Sequence, residues 1–293
     1  MNDITFQTDV PLREYSTLGI GGNARYFYEA RTVEEMQQAI VYCHSNKIPF
    51  IVIGKGSNCL FDDRGFDGAV LLNKIDFCNQ PSPGIFEVGA GYSFAHLGVL
   101  SARQGWSGLE FASGIPATVG GAVYMNAGAN GGETCNCLDS VDFINEKGVL
   151  EHFKRDQLVF RYRYSPFQER CGAIVKATFI LQSGAEARKR QIEIVNARIK
   201  TQPYGSKSAG CIFLNPSCKS AGALIDQCGL KGKSVGGAAV STLHANFLIN
   251  AGNASCQNML DLIKIVQEQV IEKTGIQLES EVRQIPYTKK MHE

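Results

Sequence analysis

The spacing of apolar residues changes repeatedly along this chain, and each change predicts an element. In TVEEMQQAIVYCHSN (32–46) the apolar positions Met36, Ala39, Ile40 and Cys43 recur at three- and four-residue intervals, which predicts a helix. Thr32 and Glu35 supply a capping box at its start. FIVI (50–53) is a short buried strand running straight into Gly54, and GAVLLN (68–73), IFEVGAG (85–91) and AIVKATFIL (173–181) are further strands. FRYRYSPF (160–167) alternates strictly, so as a strand it sets Arg161, Arg163 and Ser165 on one face and Phe160, Tyr162 and Tyr164 on the other. Helical spacing returns in 185–200, ended by Pro203, and in 257–275, closed by Gly275. IQLESEVRQI (276–285) predicts a last strand, with Ile276, Leu278 and Val282 on one face and Glu279, Glu281 and Arg283 on the other. The mixture predicts an α+β fold, and the change of texture near residue 184 predicts a domain boundary there.

Composition narrows the classes. A chain of 293 residues is long enough for two domains with a substantial core. Lys plus Arg (29) balances Asp plus Glu (28), so no basic excess suggests nucleic acid or an anionic membrane. No signal-peptide pattern opens the chain and no uncharged apolar run reaches membrane-spanning length, so a cytoplasmic location is expected. The ten cysteines are scattered and include no CxxC pair, so reduced thiols and no metal site are expected.

Glycine carries the strongest signal. No charged residue lies between Glu110 and Glu133, and in GIPATVGGAVYMNAGANGG (114–132) six of nineteen residues are glycine and four alanine. Such a run suits close approach of main-chain amides to a phosphate, or else a tightly packed structural turn. GKGSNCL (54–60) and TLGIGG (17–22) repeat the theme. No GxGxxG opens a helix after a strand, and GLKGKS (229–234) has Gln227 where a P-loop requires glycine. Three glycine turns without a standard fingerprint suggest a dinucleotide held by another fold.

The chemistry-bearing residues are sparse. Cys211 follows a glycine in SAGCIFLNP (208–216), and a thiol, with an ordinary pKa of about 8.5, is largely protonated at neutral pH and able to donate; a buried structural cysteine is the competing reading. Glu279 and Glu281 are either surface charge or an acid near a site. His244, among apolar residues, reads as a satisfied core histidine.

Taken together, TLGIGG, GKGSNCL, GIPATVGGAVYMNAGANGG, YRYS (162–165), SAGCIFLNP, AGALIDQCGLKG (221–232) and LESEVRQI (278–285), in that order, resemble the UDP-N-acetylenolpyruvoylglucosamine reductase family over nearly the whole chain. The resemblance implies an FAD domain of the vanillyl-alcohol oxidase type over residues 1–184, in two lobes divided near residue 70. A smaller α+β substrate domain over 185–293 follows. It implies FAD as cofactor and NADPH as co-substrate. Gly54, Lys55, Gly56, Ser57, Asn58, Gly114, Ile115, Pro116, Gly120, Gly121, Ala122, Asn126 and Gly128 would then hold the cofactor. Tyr162 and Asn215 would contact substrate, Arg163 would neutralise the enolate, Cys211 would donate the proton and Glu281 would support the carboxylate or a proton relay. Cys211 stands where most of the family carries serine, and Leu214 stands where a lysine is usual. No insertion carries a capping tyrosine, so the chain resembles the shorter type, and a monomer is expected. Two other functions fit less of the pattern: an FAD-dependent oxidase of the same fold, and a non-catalytic UDP-sugar-binding protein.

Overall fold

The computed structural model describes residues 4–288. The chain divides into two compact units, one of residues 4–8, 26–55 and 68–198, the other of residues 9–25, 56–67 and 199–288.

In the first unit, helix α1 (Val33–Ser45) buries the Met36, Ala39, Ile40 and Cys43 stripe that its periodicity predicts, each fully. Fully burying Met36 or Ile40 contributes about 1.5–3 kcal/mol each, and the stripe joins Phe50, Ala69, Leu71 and Val175 in one core. Only half of the capping box forms. Thr32 Oγ1 accepts from the Glu35 amide, while the Glu35 carboxylate reaches past Thr32 to the Arg31 amide. Phe50–Ile53 pairs in parallel with Phe66–Asn73, matching Phe50 with Ala69 and Ile53 with Leu72. A five-stranded antiparallel sheet runs in the order Leu150–Lys154, Leu138–Asn145, Gly172–Ile180, Ile85–Gly89, Cys78–Ser82. Helix α2 (Phe94–Arg103) and the short helix α3 (Val119–Tyr124) share its core, which includes Phe86, Phe94, Leu97, Val119, Val123 and Phe179. Helix α4 (Ala187–Thr201) carries the chain out of this unit.

The second unit is built on an antiparallel sheet ordered Lys207–Cys211, Phe247–Asn250, Ala238–Val240, Ser234–Val235. Helix α5 (Ala221–Gln227) and helix α6 (Cys256–Thr274) bury Leu224, Ile225, Met259, Leu262, Ile263, Val266 and Val270 in its core. Gly275 closes α6 in the left-handed conformation (φ 70°), as its position predicts. The Asp63 carboxylate accepts from the Cys256 and Gln257 amides at the other end of α6, satisfying amides that have no partner inside the helix.

Two predicted strands differ. FRYRYSPF is not a strand: Arg161 and Tyr164 exchange main-chain hydrogen bonds of 3.1 and 3.0 Å around a tight turn, and Arg163 sits at φ 56°. The alternation of Arg and Tyr there reflects a reversal rather than a pleat, and Pro166 then opens a 3-10 turn. In 276–285 only Arg283–Ile285 forms a regular strand, parallel to Cys59–Phe61, with an isolated bridge at Ser280. Leu278 and Val282 are nevertheless buried, as the alternation predicts.

Candidate active site

The candidate residues fall into one cluster in each unit. In the first, Gly54 ends the Phe50–Ile53 strand against Thr118: a Cβ at Gly54 would lie 2.2 Å from Thr118 Oγ1, so only glycine fits. Thr118 itself caps α3 by accepting from the Gly121 amide. Lys55 donates to Ser93 Oγ at 3.3 Å and lines a cavity of about 490 Å³ with Arg31, Lys74, Asp76 and His96. Burial first, and then the neighbouring Lys74 charge, pull the Lys55 ammonium below its usual range.

The small-residue segment is more inward-looking than its composition implies. The amides of Ile115, Val119 and Gly120 donate to the carbonyls of Ala112, Tyr92 and Ala90. A Cβ on Gly120 would meet that of Ala90 at 2.9 Å, so part of the glycine content serves close packing of helix on strand. Gly121 is different, with only Thr118 Oγ1 near its missing side chain. Ala122 is fully buried. Asn126 is also buried, at φ 42°, and its side chain is spent inside the protein: Nδ2 donates to the Glu133 carboxylate and the Arg161 carbonyl, and Oδ1 accepts from the Cys135 amide. The Gly128 carbonyl accepts from Arg163 Nη2 at 2.9 Å, and the Arg163 guanidinium lies 5.0 Å from the Tyr162 ring centre. Of the two arginines in the turn, Arg161 is exposed and Arg163 half-buried.

The second unit gathers the rest. Gly56 takes φ 61°, and a Cβ there would lie 1.9 Å from the Tyr15 carbonyl oxygen. Among the described residues, no protein acceptor takes the amides of Lys55, Gly56 or Ser57. Three consecutive unspent amides, the middle one on a glycine held at positive φ, suit an anionic group. The residues present therefore fit a dinucleotide pyrophosphate. Asn58 points elsewhere: its Nδ2 donates to the Glu281 carbonyl at 3.2 Å and its carbonyl accepts from the Arg283 amide at 3.0 Å.

Cys211 ends the Lys207–Cys211 strand opposite Phe247, after Gly210 at φ 76° and an irregularity in the pairing. Just beyond it, Asn246 grips the chain. Its carbonyl accepts from the Ile212 amide, its Oδ1 accepts from the Phe213 amide and its Nδ2 donates to the Phe213 carbonyl. On the other side, the Glu281 amide donates to the Ile212 carbonyl and the Leu214 amide to the Glu279 carbonyl. Cys211 and Glu281 thus lie on neighbouring stretches of backbone, both half-buried, whereas Glu279 is exposed. Asn215 Oδ1 accepts from the Ala221 amide at the start of α5. His244 is half-buried rather than a core residue; its Nδ1 accepts from the Asn246 amide and its ring lies edge-on to Phe247. Asn246 was not legible as the residue that holds the Cys211 segment; its only signal is an amide side chain, one of two, in the otherwise apolar run ANFLIN.

Two family models match the chain. Residues 24–154 match the FAD binding domain model, and residues 202–285 match the model described as UDP-N-acetylenolpyruvoylglucosamine reductase, C-terminal domain. A UDP-N-acetylenolpyruvoylglucosamine reductase of Protochlamydia amoebophila is 58% identical over 96% of this chain and 94% of its own. The chain belongs to the UDP-N-acetylenolpyruvoylglucosamine reductase family. Another member, from Chlamydia trachomatis serovar A, is 50% identical over 96% of each chain. The crystal structure of UDP-N-acetylenolpyruvylglucosamine reductase from Thermus caldophilus superposes with a TM-score of 0.83 at 37% identity, covering 96% of this chain and all of that one. Membership makes the chain an FAD-dependent oxidoreductase of peptidoglycan precursor synthesis, with the α+β fold that its sequence predicts. Among the described residues no helix is long and apolar enough to cross a membrane.

Proposed function

We propose that this chain reduces the enolpyruvyl group of UDP-N-acetylenolpyruvoylglucosamine with NADPH, giving UDP-N-acetylmuramate. Bound FAD supplies hydride transfer from NADPH to the enolpyruvyl methylene carbon. The amides of Lys55, Gly56 and Ser57 would hold the pyrophosphate, and the small-residue segment through Gly114, Ile115, Pro116, Gly121 and Gly128 would lie along the rest of the cofactor. Hydride addition at the methylene carbon leaves negative charge on the adjacent carboxylate as an enolate. Arg163 offsets that charge, the Cys211 thiol gives its proton to the α-carbon, and Glu281 supports the carboxylate end or returns the proton to sulfur. Tyr162 carries the Arg163 guanidinium against its ring and contacts substrate, as does Asn215, whose Oδ1 accepts from the Ala221 amide. The first 184 residues serve the cofactor and residues 185–293 the UDP-sugar, in a cytoplasmic monomer.

The observation that carries this reading is the hydrogen bond between the Glu281 amide and the Ile212 carbonyl, which brings the carboxylate and the Cys211 thiol onto adjoining backbone. The test is NADPH oxidation without oxygen. One UDP-N-acetylmuramate formed per NADPH consumed is expected, whereas consumption that needs oxygen and ignores the UDP-sugar would mark an oxidase.

A further inference from the structure

Arg163 occupies a backbone conformation that disfavours it. Side chains other than glycine, asparagine and aspartate rarely adopt φ near 56°. Such a conformation persists only where the surroundings fix it. The two main-chain bonds between Arg161 and Tyr164 close the base of the turn and leave the Arg163 carbonyl outside it. That carbonyl is taken by Gln168, whose Nε2 donates to it at 3.0 Å and to the Tyr124 carbonyl, at the C-terminal end of α3, at 2.9 Å. Ser165 Oγ donates to the same Tyr124 carbonyl at 2.6 Å, and Asn126 Nδ2 holds the Arg161 carbonyl.

We propose that Gln168 is a positioning residue for Arg163, tying the strained carbonyl of the turn to the end of the small-residue helix that precedes Gly128. The chemistry suits glutamine. A primary amide offers two N–H donors in one plane, so one nitrogen serves two carbonyls at once. A glutamate of the same shape would set a carboxylate against two carbonyl oxygens, and an alanine would leave both without this donor. The Arg163 head is held separately, by the Gly128 carbonyl, so losing Gln168 frees the backbone beneath a guanidinium that is still tethered at its tip. The inference rests on the reading of Arg163 as the group that meets the substrate carboxylate.

The test uses the FAD-loaded enzyme and follows its two half-reactions separately without oxygen. Gln168→Ala and Gln168→Glu are made alone and in an Arg163→Ala background. Gln168→Ala is expected to leave flavin reduction by NADPH within twofold and to slow reoxidation by UDP-N-acetylenolpyruvoylglucosamine about tenfold. That loss should vanish in the Arg163→Ala background. Gln168→Glu should be slower than Gln168→Ala at pH 8 and should recover towards pH 5.5, as its carboxyl takes up a proton and becomes a donor. A reoxidation rate in Gln168→Ala equal to wild type overturns the proposal. So does an equal loss in both half-reactions, or a loss that persists undiminished without Arg163, because each marks general packing. Arg163→Ala with wild-type reoxidation would instead sink the underlying reading of Arg163.

Discussion

The Glu281 amide donates to the Ile212 carbonyl at 2.7 Å, the shortest of the main-chain bonds that join the two chemistry-bearing segments of the second unit. Cys211 and Glu281 therefore flank one hydrogen bond although seventy residues separate them in the chain. Asn246 holds the 212–213 segment from the other side, so neither group can shift without disturbing a bonded ladder.

The first prediction concerns the thiol. Cys211→Ala should keep flavin reduction by NADPH near wild type and slow product formation by about 10²-fold or more, the usual range for losing a general acid. Cys211→Ser should retain activity within about tenfold, since a hydroxyl can donate from the same place. Rapid-mixing absorbance of the bound flavin separates the two steps. Unchanged turnover in the alanine variant would remove Cys211 from the mechanism.

Exposure distinguishes the two carboxylates. Glu281→Gln should reduce kcat well beyond Glu279→Gln, because Glu281 is half-buried beside the Cys211 segment while Glu279 is exposed. Steady-state assays of both variants decide it, and the reverse order would mean that the exposed carboxylate is the functional one.

Gly56→Ala tests the glycine turn. The new Cβ would meet the Tyr15 carbonyl at 1.9 Å in a conformation already unfavourable for alanine. A loss of about 2 kcal/mol or more is expected, with reduced flavin content. Thermal unfolding and the ratio of flavin to protein absorbance report both. A variant of wild-type stability and full flavin content would show that the loop tolerates a side chain there.

Buried thiols predict alkaline lability. Burial foremost, with the Cys171 thiol next, pushes Cys43 up to about 12, and burial with Asp63 and Asp62 does the same for Cys256. Burial, Glu110 and Cys135 raise Cys137 to about 11. A raised pKa means that the folded state holds the proton more tightly than the unfolded chain does. The associated stability is complete below about pH 9 and is lost as pH climbs towards 12. The urea midpoint should therefore fall between pH 8.5 and 10.5, and less steeply in a Cys43→Ala, Cys137→Ala, Cys256→Ala variant. An equally steep fall in that variant would assign the effect to other groups.

How much of this was legible in the sequence depended on range. The α1 stripe and the Gly275 cap could be read because each is decided within a few residues by helix periodicity and a left-handed stop. The Arg163 turn was misread as a strand because alternation of arginine and tyrosine looks the same in a pleat and around a reversal; the bonds that decide it come from Gln168 and Asn126. The inward-looking amides of Val119 and Gly120 were likewise hidden, since their acceptors at Tyr92 and Ala90 lie in another segment. The site residues themselves emerged from a series of short motifs, whereas Asn246, which grips the Cys211 segment, belongs to a run that reads as plain core.

The parallel ladder between Cys59–Phe61 and Arg283–Ile285 has a consequence for biosynthesis. Its two edges lie more than two hundred residues apart, so the second unit stays incomplete until Arg283–Ile285 has left the ribosome. Nascent chains halted short of Arg283 should expose the hydrophobic surface around Leu60 to chaperones and proteases, which makes emergence of this late strand the committing event in maturation.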